Sequence, residues 1–325
     1  GIPADWEKSL LDIFIENYMD FKFIPHMYND GKICLFDLEG VLLNINFDGL
    51  VTESISRLER ILVEGIDDSN KLEFITEFDA YWNQLPNIGI ADSSVLLEEE
   101  LKKIKYTYKY KLDNKRFNLS ASDKAEELKI LGKCNTVKNG IYIYIKPKDF
   151  IYPPDWRKPL DITYINRLLE IGKIEHRKIN NLIKHFNDEF LLLINISQPN
   201  GFNTPIAILI KNYKEKLTRC SKYFKLNIGC RCIPLGVCRN DSEYLIKRGG
   251  IFTDIKDKKV LIVGCGSIGG YLASELVKAG ISNICLVDKD RLSPDNIYRH
   301  LLGLEFVGQY KTKAIIKHLE NNIPY

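Results

Sequence analysis

The chain has 325 residues, enough for two or three domains, with 45% apolar and 27% charged residues, the balance of a soluble globular protein. A formal net charge of +3 gives no electrostatic case for nucleic acid or an anionic membrane as partner. The longest apolar runs, such as FLLLINI at Phe190 to Ile196, are far too short to span a bilayer and read as buried strands.

Eight cysteines without disulfide-type spacing favour a reducing compartment, so a cytoplasmic location is expected. The chain opens on Gly1 and stops at Pro324 and Tyr325 in the middle of a pattern, and it reads as a window on a longer protein. Three regions separate, at 1–95, 96–250 and 251–325.

In the first region, Leu10, Leu11, Phe14, Ile15 and Tyr18 form an apolar-periodic stretch. PHMYNDGKICLFD follows, from Pro25 to Asp37, and sets Cys34 between a polar, glycine-bearing turn and an apolar run. Cys34 is either a small hydrophobe at a strand start or a thiolate held for chemistry, and the stretch alone leaves both open. VTESISRLERILVEG then places Val51, Ile55, Leu58, Ile61 and Leu62 on one helix face, with Gly65 as the expected stop before Asp67 and Asp68. LEFITEFDAYW predicts a second amphipathic helix.

The charged run EEELKKIK at Glu98 to Lys105 opens the middle region and reads as a solvated helix face or edge. Short β-rich runs, GIYIYIKP and DEFLLLINIS, alternate with a helical stretch from Tyr164 to Phe186, so an α+β unit is expected. PPDW at Pro153 to Trp156 reads as a turn. Cys220, Cys230, Cys232 and Cys238 lack a common structural-zinc spacing. Ile228, Cys230 and Cys232 fall on one face of a predicted strand, and the thiols are expected to be buried. His176, His185 and His318 lie in charge-rich helical stretches and are expected to be solvated. No residue is assigned as a metal ligand.

The third region carries the clearest signal. In KKVLIVGCGSIGGYLASELVKAGISNICLVDKD, a strand at Val260 to Val263 runs into Gly264-x-Gly266-x-x-Gly269. A helix then extends to about Ala279, Gly280 stops it, and a strand from Asn283 to Val287 ends on Asp288. Glycines permit the tight turn and close backbone approach, and the N–H groups of a helix start face phosphate. An acid about twenty residues beyond the last glycine suits ribose hydroxyls. Asp290, Asn296, Arg299 and Lys311 follow; the two cations suit a triphosphate and its departing pyrophosphate.

These residues closely resemble the ThiF/MoeB/ubiquitin-activating adenylation family, whose pattern is a GxGxxG turn, D-x-D, N-x-x-R-Q and G-x-x-K. Here the pattern appears as Gly264, Gly266 and Gly269, then Asp288 with Asp290, Asn296 with Arg299, and Gly308 with Lys311. His300 stands where the family usually has glutamine. The resemblance covers about Lys258 onward and implies the start of a Rossmann-like, doubly wound α/β adenylation domain. It also implies ATP- and magnesium-dependent activation of a protein's C-terminal carboxylate, and a homodimer formed through this domain.

With that domain downstream, the Cys34 segment resembles the ubiquitin-conjugating signature, in which a His-Pro-Asn turn precedes G-x-I-C-L. His26, Gly31, Ile33, Cys34 and Leu35 match, Met27 and Tyr28 replace Pro-Asn, and Asn29 sits one place later. The resemblance implies a partial α+β conjugating-type domain in which Cys34 carries a thioester and His26 serves mainly turn geometry. The whole resembles bacterial fusions of conjugating and activating modules, including those of CBASS antiphage systems, with the middle region as an α+β linker domain. The implied partner is a ubiquitin-like protein or a CBASS nucleotidyltransferase whose C-terminus is activated. Two other readings remain: a sulfur-transfer adenylyltransferase in which Cys34 is incidental, and a nucleotide-binding scaffold without catalysis. A dehydrogenase is a distant fourth.

Overall fold

The computed structural model describes residues 10–36, 46–111, 114–124, 137–183, 186, 189–213, 222–227, 229–248, 255, 258–281 and 283–323. Expectations for Cys220, Ile228 and His185 lie outside them.

Two short strands, β1 (Ile13–Phe14) and β2 (Lys32–Ile33), pair antiparallel, Ile13 opposite Ile33. Gly31, at φ +85°, makes the turn before β2; a Cβ there would lie 2.7 Å from the Ile15 carbonyl oxygen. Helix α1 (Phe47–Ile66) starts at Asn46, whose side chain accepts from the Gly49 N–H. Gly65 does not stop this helix. It lies inside the last turn, where a Cβ would come 2.7 Å from the Ile24 Cβ, so it admits close packing. The second predicted helix is broken at Glu77 into α2 (Glu73–Thr76) and α3 (Phe78–Trp82). Phe74, Ile75, Phe78, Tyr81 and Trp82 are all buried, and the break lets both short pieces turn their apolar residues inward.

The middle of the chain closes into a seven-stranded barrel in the order β3-β5-β4-β6-β7-β8-β9. Its strands are β3 (Gly89–Ser93), β4 (Lys102–Lys111), β5 (Asn114–Ala121), β6 (Lys138–Ile145), β7 (Glu189–Ser197), β8 (Asn203–Lys211) and β9 (Arg231–Arg239). β3 pairs parallel with β5 and β9, β6 pairs parallel with β7, and the remaining neighbours are antiparallel. The EEELKKIK run is therefore not helical. Glu98 to Leu101 lead into β4, where Ile104 and Tyr106 are buried while Lys103 is exposed and Lys105 partly so, the period of a strand.

β7 is buried on both faces. Leu191 and Leu193 pack with Ala91, Tyr106, Phe117 and Leu235 in one cluster, while Phe190, Leu192, Ile194 and Ile196 join a second. That second cluster holds Ile165, Leu168 and Leu169 of α4 (Ile162–Ile171) and Ile179 of α5 (His176–Ile183). The single helical stretch expected at Tyr164 to Phe186 is thus two helices, parted by a turn at Gly172 and Lys173. Ile24, Met27, Ile33, Leu35, Phe78 and Trp82 also belong to this cluster, and the Trp82 indole donates to the Leu235 carbonyl at 2.9 Å. The region bearing Cys34 therefore shares a core with the outer face of the barrel.

Cys230 and Cys232 are half-buried, but Cys238 is exposed at the end of β9, contrary to the expectation of a buried thiol. His176 and His318 are not freely solvated: each ring packs on a phenylalanine, Phe224 and Phe306.

After α6 (Ser242–Arg248), strands β10 (Lys259–Val263) and β11 (Asn283–Val287) pair in parallel, with α7 (Gly269–Lys278) between them in the chain. Gly280, at φ +92°, ends that helical segment. Ile262, Ala273, Ala314, Ile315 and Leu319 form a third apolar cluster under α7 and α8 (Lys311–Asn322). No described helix is long and apolar enough to cross a membrane.

Candidate active sites

Cys34 follows β2 directly, and its N–H donates to the His26 carbonyl at 2.8 Å. His26 has φ +63°, a conformation few non-glycine residues adopt. It is held there from both sides, because its own N–H donates to the Tyr81 hydroxyl at 2.7 Å. An isolated bridge between Met27 and Ile33 completes the turn. His26 and Cys34 are thereby fixed side by side, near enough for the imidazole and the thiol to shift each other's pKa.

The ring of His26 also meets two carboxylates. Nε2 lies 2.8 Å from Glu73 Oε2, and Nδ1 lies 3.5 Å from Glu77 Oε1. Interaction with the Cys34 sulfur and the charges of Glu77 and Glu73 outweigh partial burial and raise the imidazole pKa to about 9. The Cys34 thiol moves the other way: interaction with His26, helped by Tyr28, outweighs burial and lowers it. Burial and the neighbouring sulfur push the Tyr28 phenol up to about 12, so its hydroxyl keeps its proton and can donate. Cys34 Sγ is also 3.7 Å from the Phe36 carbonyl, a weak contact open only to the thiol form.

Beside Cys34 lies a cavity of about 310 Å³, lined on its apolar side by Leu10, Leu11, Leu35 and Phe36 and on its polar side by Tyr28 and Asn29. Asn29 makes one long contact, 3.5 Å to the Gln84 carbonyl. A half-buried cysteine with a lowered pKa at the wall of a cavity has the attributes of a nucleophile.

The sequence singled out Cys34 and His26 but missed Tyr28, Glu73, Glu77 and Tyr81. Glu73 and Glu77 are four residues apart on the segment expected to be amphipathic, so their common polar face was available as a signal. Nothing local indicated that this face turns to His26.

The second site surrounds the glycine turn. The Gly264 N–H donates to the Val287 carbonyl at 2.7 Å and closes the turn on the end of β11. Gly264 has φ +91°, and a Cβ at Gly269 would lie 1.8 Å from the Gly264 carbonyl oxygen, so both positions require glycine. At Gly264 and Gly266 a Cβ would meet nothing within 4 Å. The turn therefore presents open backbone ahead of α7, which fits a phosphate-bearing ligand.

Asp288 is more committed than expected. Its Oδ2 accepts from the Cys265 N–H at 2.6 Å and its Oδ1 from the Asp290 N–H at 2.7 Å. Burial alone would raise this carboxyl, but those two N–H groups, with Lys311 nearby, bring it below its ordinary value. Asp288 thus ties β11 to the glycine turn and retains lone pairs for a further donor. Lys311 is largely buried, and its Nζ lies 3.1 Å from Asp290 Oδ2.

His300 has a definite task in the fold. The Leu302 N–H donates to its Nδ1 at 3.1 Å, so Nε2 carries the proton and donates to the Cys265 carbonyl at 2.8 Å. It braces the turn from behind. Asn296 caps the short helical turn Pro294–Arg299 through the Ser293 N–H, while Arg299 is exposed, without a partner among the described residues. Asp288, Asp290, Lys311 and His300 therefore gather at the turn, whereas Arg299 and Asn296 engage nothing there. Among the described residues no group of three or more His, Cys, Asp or Glu side chains is placed to hold a metal ion.

Two family models match the chain. Residues 1–89 match the Prokaryotic E2 family B, and residues 244–325 match the ThiF family. The chain thus joins an E2-like segment to a ThiF-like one, in the order the motifs indicated.

Among curated proteins, it is similar to the ATP-dependent ubiquitin transferase-like protein Cap2 of Escherichia coli (strain TW11681). They are 22% identical over 354 residues, covering 95% of this chain and 58% of that protein. The protein of that name from Pseudomonas aeruginosa (strain BWHPSA011 / Pa011) is 28% identical over 331 residues, covering 93% and 57%. Over 83 residues, 26% of this chain and 14% of the relative, identity to the Cap2 of Enterobacter hormaechei subsp. hoffmannii (strain UCI 50) is 37%. The chain spans a little under three-fifths of the length of the first two relatives.

Proposed function

We propose that the protein activates the C-terminal carboxylate of a partner protein with ATP and carries the acyl group as a thioester on Cys34 for conjugation to a target. The observation that carries this reading is Cys34 itself, a half-buried cysteine beside His26 at the wall of a cavity, on the same chain as a glycine turn backed by Asp288, Asp290 and Lys311. The likeness to transferase-like relatives named for ATP dependence supports it.

ATP would supply the adenylyl group, which passes to the partner's carboxylate while pyrophosphate departs as the leaving group. The open backbone at Gly264 and Gly266 cradles its phosphates, Asp288 offers remaining lone pairs to ribose, and Lys311 meets the negative charge that grows on departure. Asp288 and Asp290 are the carboxylates best placed to approach a magnesium ion accompanying the nucleotide. Cys34 then takes the acyl group, its new C–S bond displacing either AMP from the adenylated carboxylate or the thiolate of another thioester.

On this reading residues 251–325 begin a Rossmann-like, doubly wound adenylation domain that also forms the homodimer. Residues 96–250 are the linker domain and 1–95 the conjugating unit, whose strand β3 completes the barrel. The setting is cytoplasmic, in an antiphage pathway of CBASS type, with a ubiquitin-like protein or a nucleotidyltransferase as the activated partner.

The test is full-length protein incubated with ATP and a candidate partner. A thiol-sensitive adduct at Cys34 that becomes a thiol-resistant ester in Cys34→Ser supports the reading. Pyrophosphate exchange without any such adduct favours a sulfur-transfer adenylyltransferase. Nucleotide binding without exchange leaves only a scaffold.

A further inference from the structure

Both nitrogens of the His26 ring face carboxylates, Nε2 at 2.8 Å from Glu73 and Nδ1 at 3.5 Å from Glu77. A neutral imidazole has one N–H and one lone pair, so in either tautomer a bare ring nitrogen would lie within 3.5 Å of a carboxylate oxygen. Only the imidazolium offers a donor on both sides. The same residue is tied to Cys34, whose N–H donates to the His26 carbonyl at 2.8 Å, and its ring acts electrostatically on the Cys34 sulfur. Resting on the thioester reading above, we propose that Glu73 and Glu77 are positioning residues that hold His26 as an imidazolium beside Cys34, so that the cysteine is already a thiolate when an acyl group arrives and departs as a thiolate when the acceptor attacks.

The carboxylates are built into the fold. Glu73 opens α2 and Glu77 occupies the break before α3, so the interruption of the predicted helix is what sets both acids around one ring. Tyr81 locks the arrangement: its hydroxyl accepts the His26 N–H at 2.7 Å and donates to Glu77 Oε2 at 2.9 Å. Four further charged or titratable groups stand nearby. Tyr28 acts on the Cys34 sulfur, Asp30 lies beside Tyr28, and Arg57 donates to the Leu35 carbonyl while paired with Glu53 at 2.7 Å. Without the ring's positive charge, Glu77 would act on the sulfur only to disfavour its anion.

On loading, Cys34 Sγ attacks the carbonyl of an incoming thioester. The new C–S bond forms, the donor's C–S bond breaks, and its electron pair leaves on the donor sulfur while the His26 proton stays in place. On discharge an amine nitrogen attacks the same carbon. The C–N bond forms, the Cys34 C–S bond breaks with its electron pair on Sγ beside the imidazolium, and the amine's surplus proton goes to solvent. A thiol of lower pKa attacks somewhat less strongly but leaves faster, so the pairing favours discharge most.

The experiment is the pH dependence of Cys34 alkylation by iodoacetamide in full-length protein, read for the Cys34 peptide by mass spectrometry. The wild-type midpoint is expected below the value of about 8.5 for a free cysteine. Glu73→Gln and Glu77→Gln keep the shape and remove the charge. Each should raise the midpoint, and the double variant should raise it by about one unit, leaving roughly tenfold less thiolate at neutral pH. His26→Gln should raise it at least as far. Unmoved midpoints in both glutamate variants overturn the proposal, as does a wild-type midpoint at or above that of free cysteine. Should a variant fail to fold by circular dichroism, the wild-type midpoint decides alone. Alkylation needs neither ATP nor partner, so the two readings fail separately. Shifted midpoints without any thioester leave the ion pair standing, and a thioester with unmoved midpoints does the reverse.

Discussion

Lys311→Met would separate transition-state stabilisation from nucleotide binding. Methionine keeps most of the stem that packs at the start of α8 and deletes only the ammonium. The lysine side chain is 11% exposed, but that of its partner Asp290 is 56% exposed, so the orphaned carboxylate stays hydrated. The cost to the fold should therefore be that of a partly exposed ion pair, about 1 kcal/mol or less. An ammonium that meets the growing charge on pyrophosphate is worth ~3–4 kcal/mol in the transition state, roughly a 10²–10³-fold loss of rate. The assay is ATP–pyrophosphate exchange in full-length protein with its activated partner, beside an ATP dissociation constant from calorimetry. Exchange should fall by that factor while affinity changes far less. Exchange at the wild-type rate, or a loss fully matched by weaker ATP binding, refutes the reasoning.

Arg299→Ala should also slow exchange, with no change in melting temperature, because the side chain has no partner among the described residues to lose. Unchanged exchange would make Arg299 a surface cation. Asp288→Asn replaces one acceptor by an NH₂ group facing a backbone N–H, so it should loosen the glycine turn by about 1–3 kcal/mol as well as weaken ATP binding. Faster hydrogen exchange at the Cys265 amide reads the first effect; wild-type protection there would show that the carboxylate serves only the ligand. At neutral pH, Cys34 should be alkylated well before Cys232, whose thiol is pushed up to about 12, chiefly by burial. The reverse order in folded protein would make Cys34 a core residue.

The parts of the fold that were legible are those whose boundaries are written locally. The β10–α7–β11 segment is marked by a β-branched run, three glycines at fixed spacing and Gly280, and Gly264, Gly269 and Gly280 lie where the backbone demands glycine. The barrel has no such local marks. Its closure depends on β3 pairing in parallel with both β5 and β9, Gly89 opposite Leu235, and no periodicity within either strand encodes that partner. The EEELKKIK run misled for a related reason. A strand with lysines on its outer face and Ile104 and Tyr106 inside carries as many charges as a solvated helix, and only the alternation distinguishes them.

The two sites differ in the same way. Nucleotide-site residues lie within one short stretch, because a turn, a strand end and a helix start are all that a phosphate cradle needs. Even so, spacing assigned Asp288 to ribose alone and left His300 as a departure. In the fold, both first hold the turn together, through the Cys265 N–H and the Cys265 carbonyl respectively. At the cysteine site the motif supplied Cys34 and His26 but assigned the histidine to turn geometry. Its backbone does serve the turn, accepting from the Cys34 N–H and donating to Tyr81. Its ring, however, is surrounded by Glu73, Glu77 and the Cys34 sulfur, and two of those three come from a segment that sequence treated as a plain amphipathic helix. The break at Glu77 joins the fold to the site. It buries Phe74 on one side and Phe78, Tyr81 and Trp82 on the other, and it leaves the two acids projecting to a single ring. A histidine in that setting is held charged by the same packing that holds its backbone in place, so structural and electrostatic roles cannot be assigned to it separately.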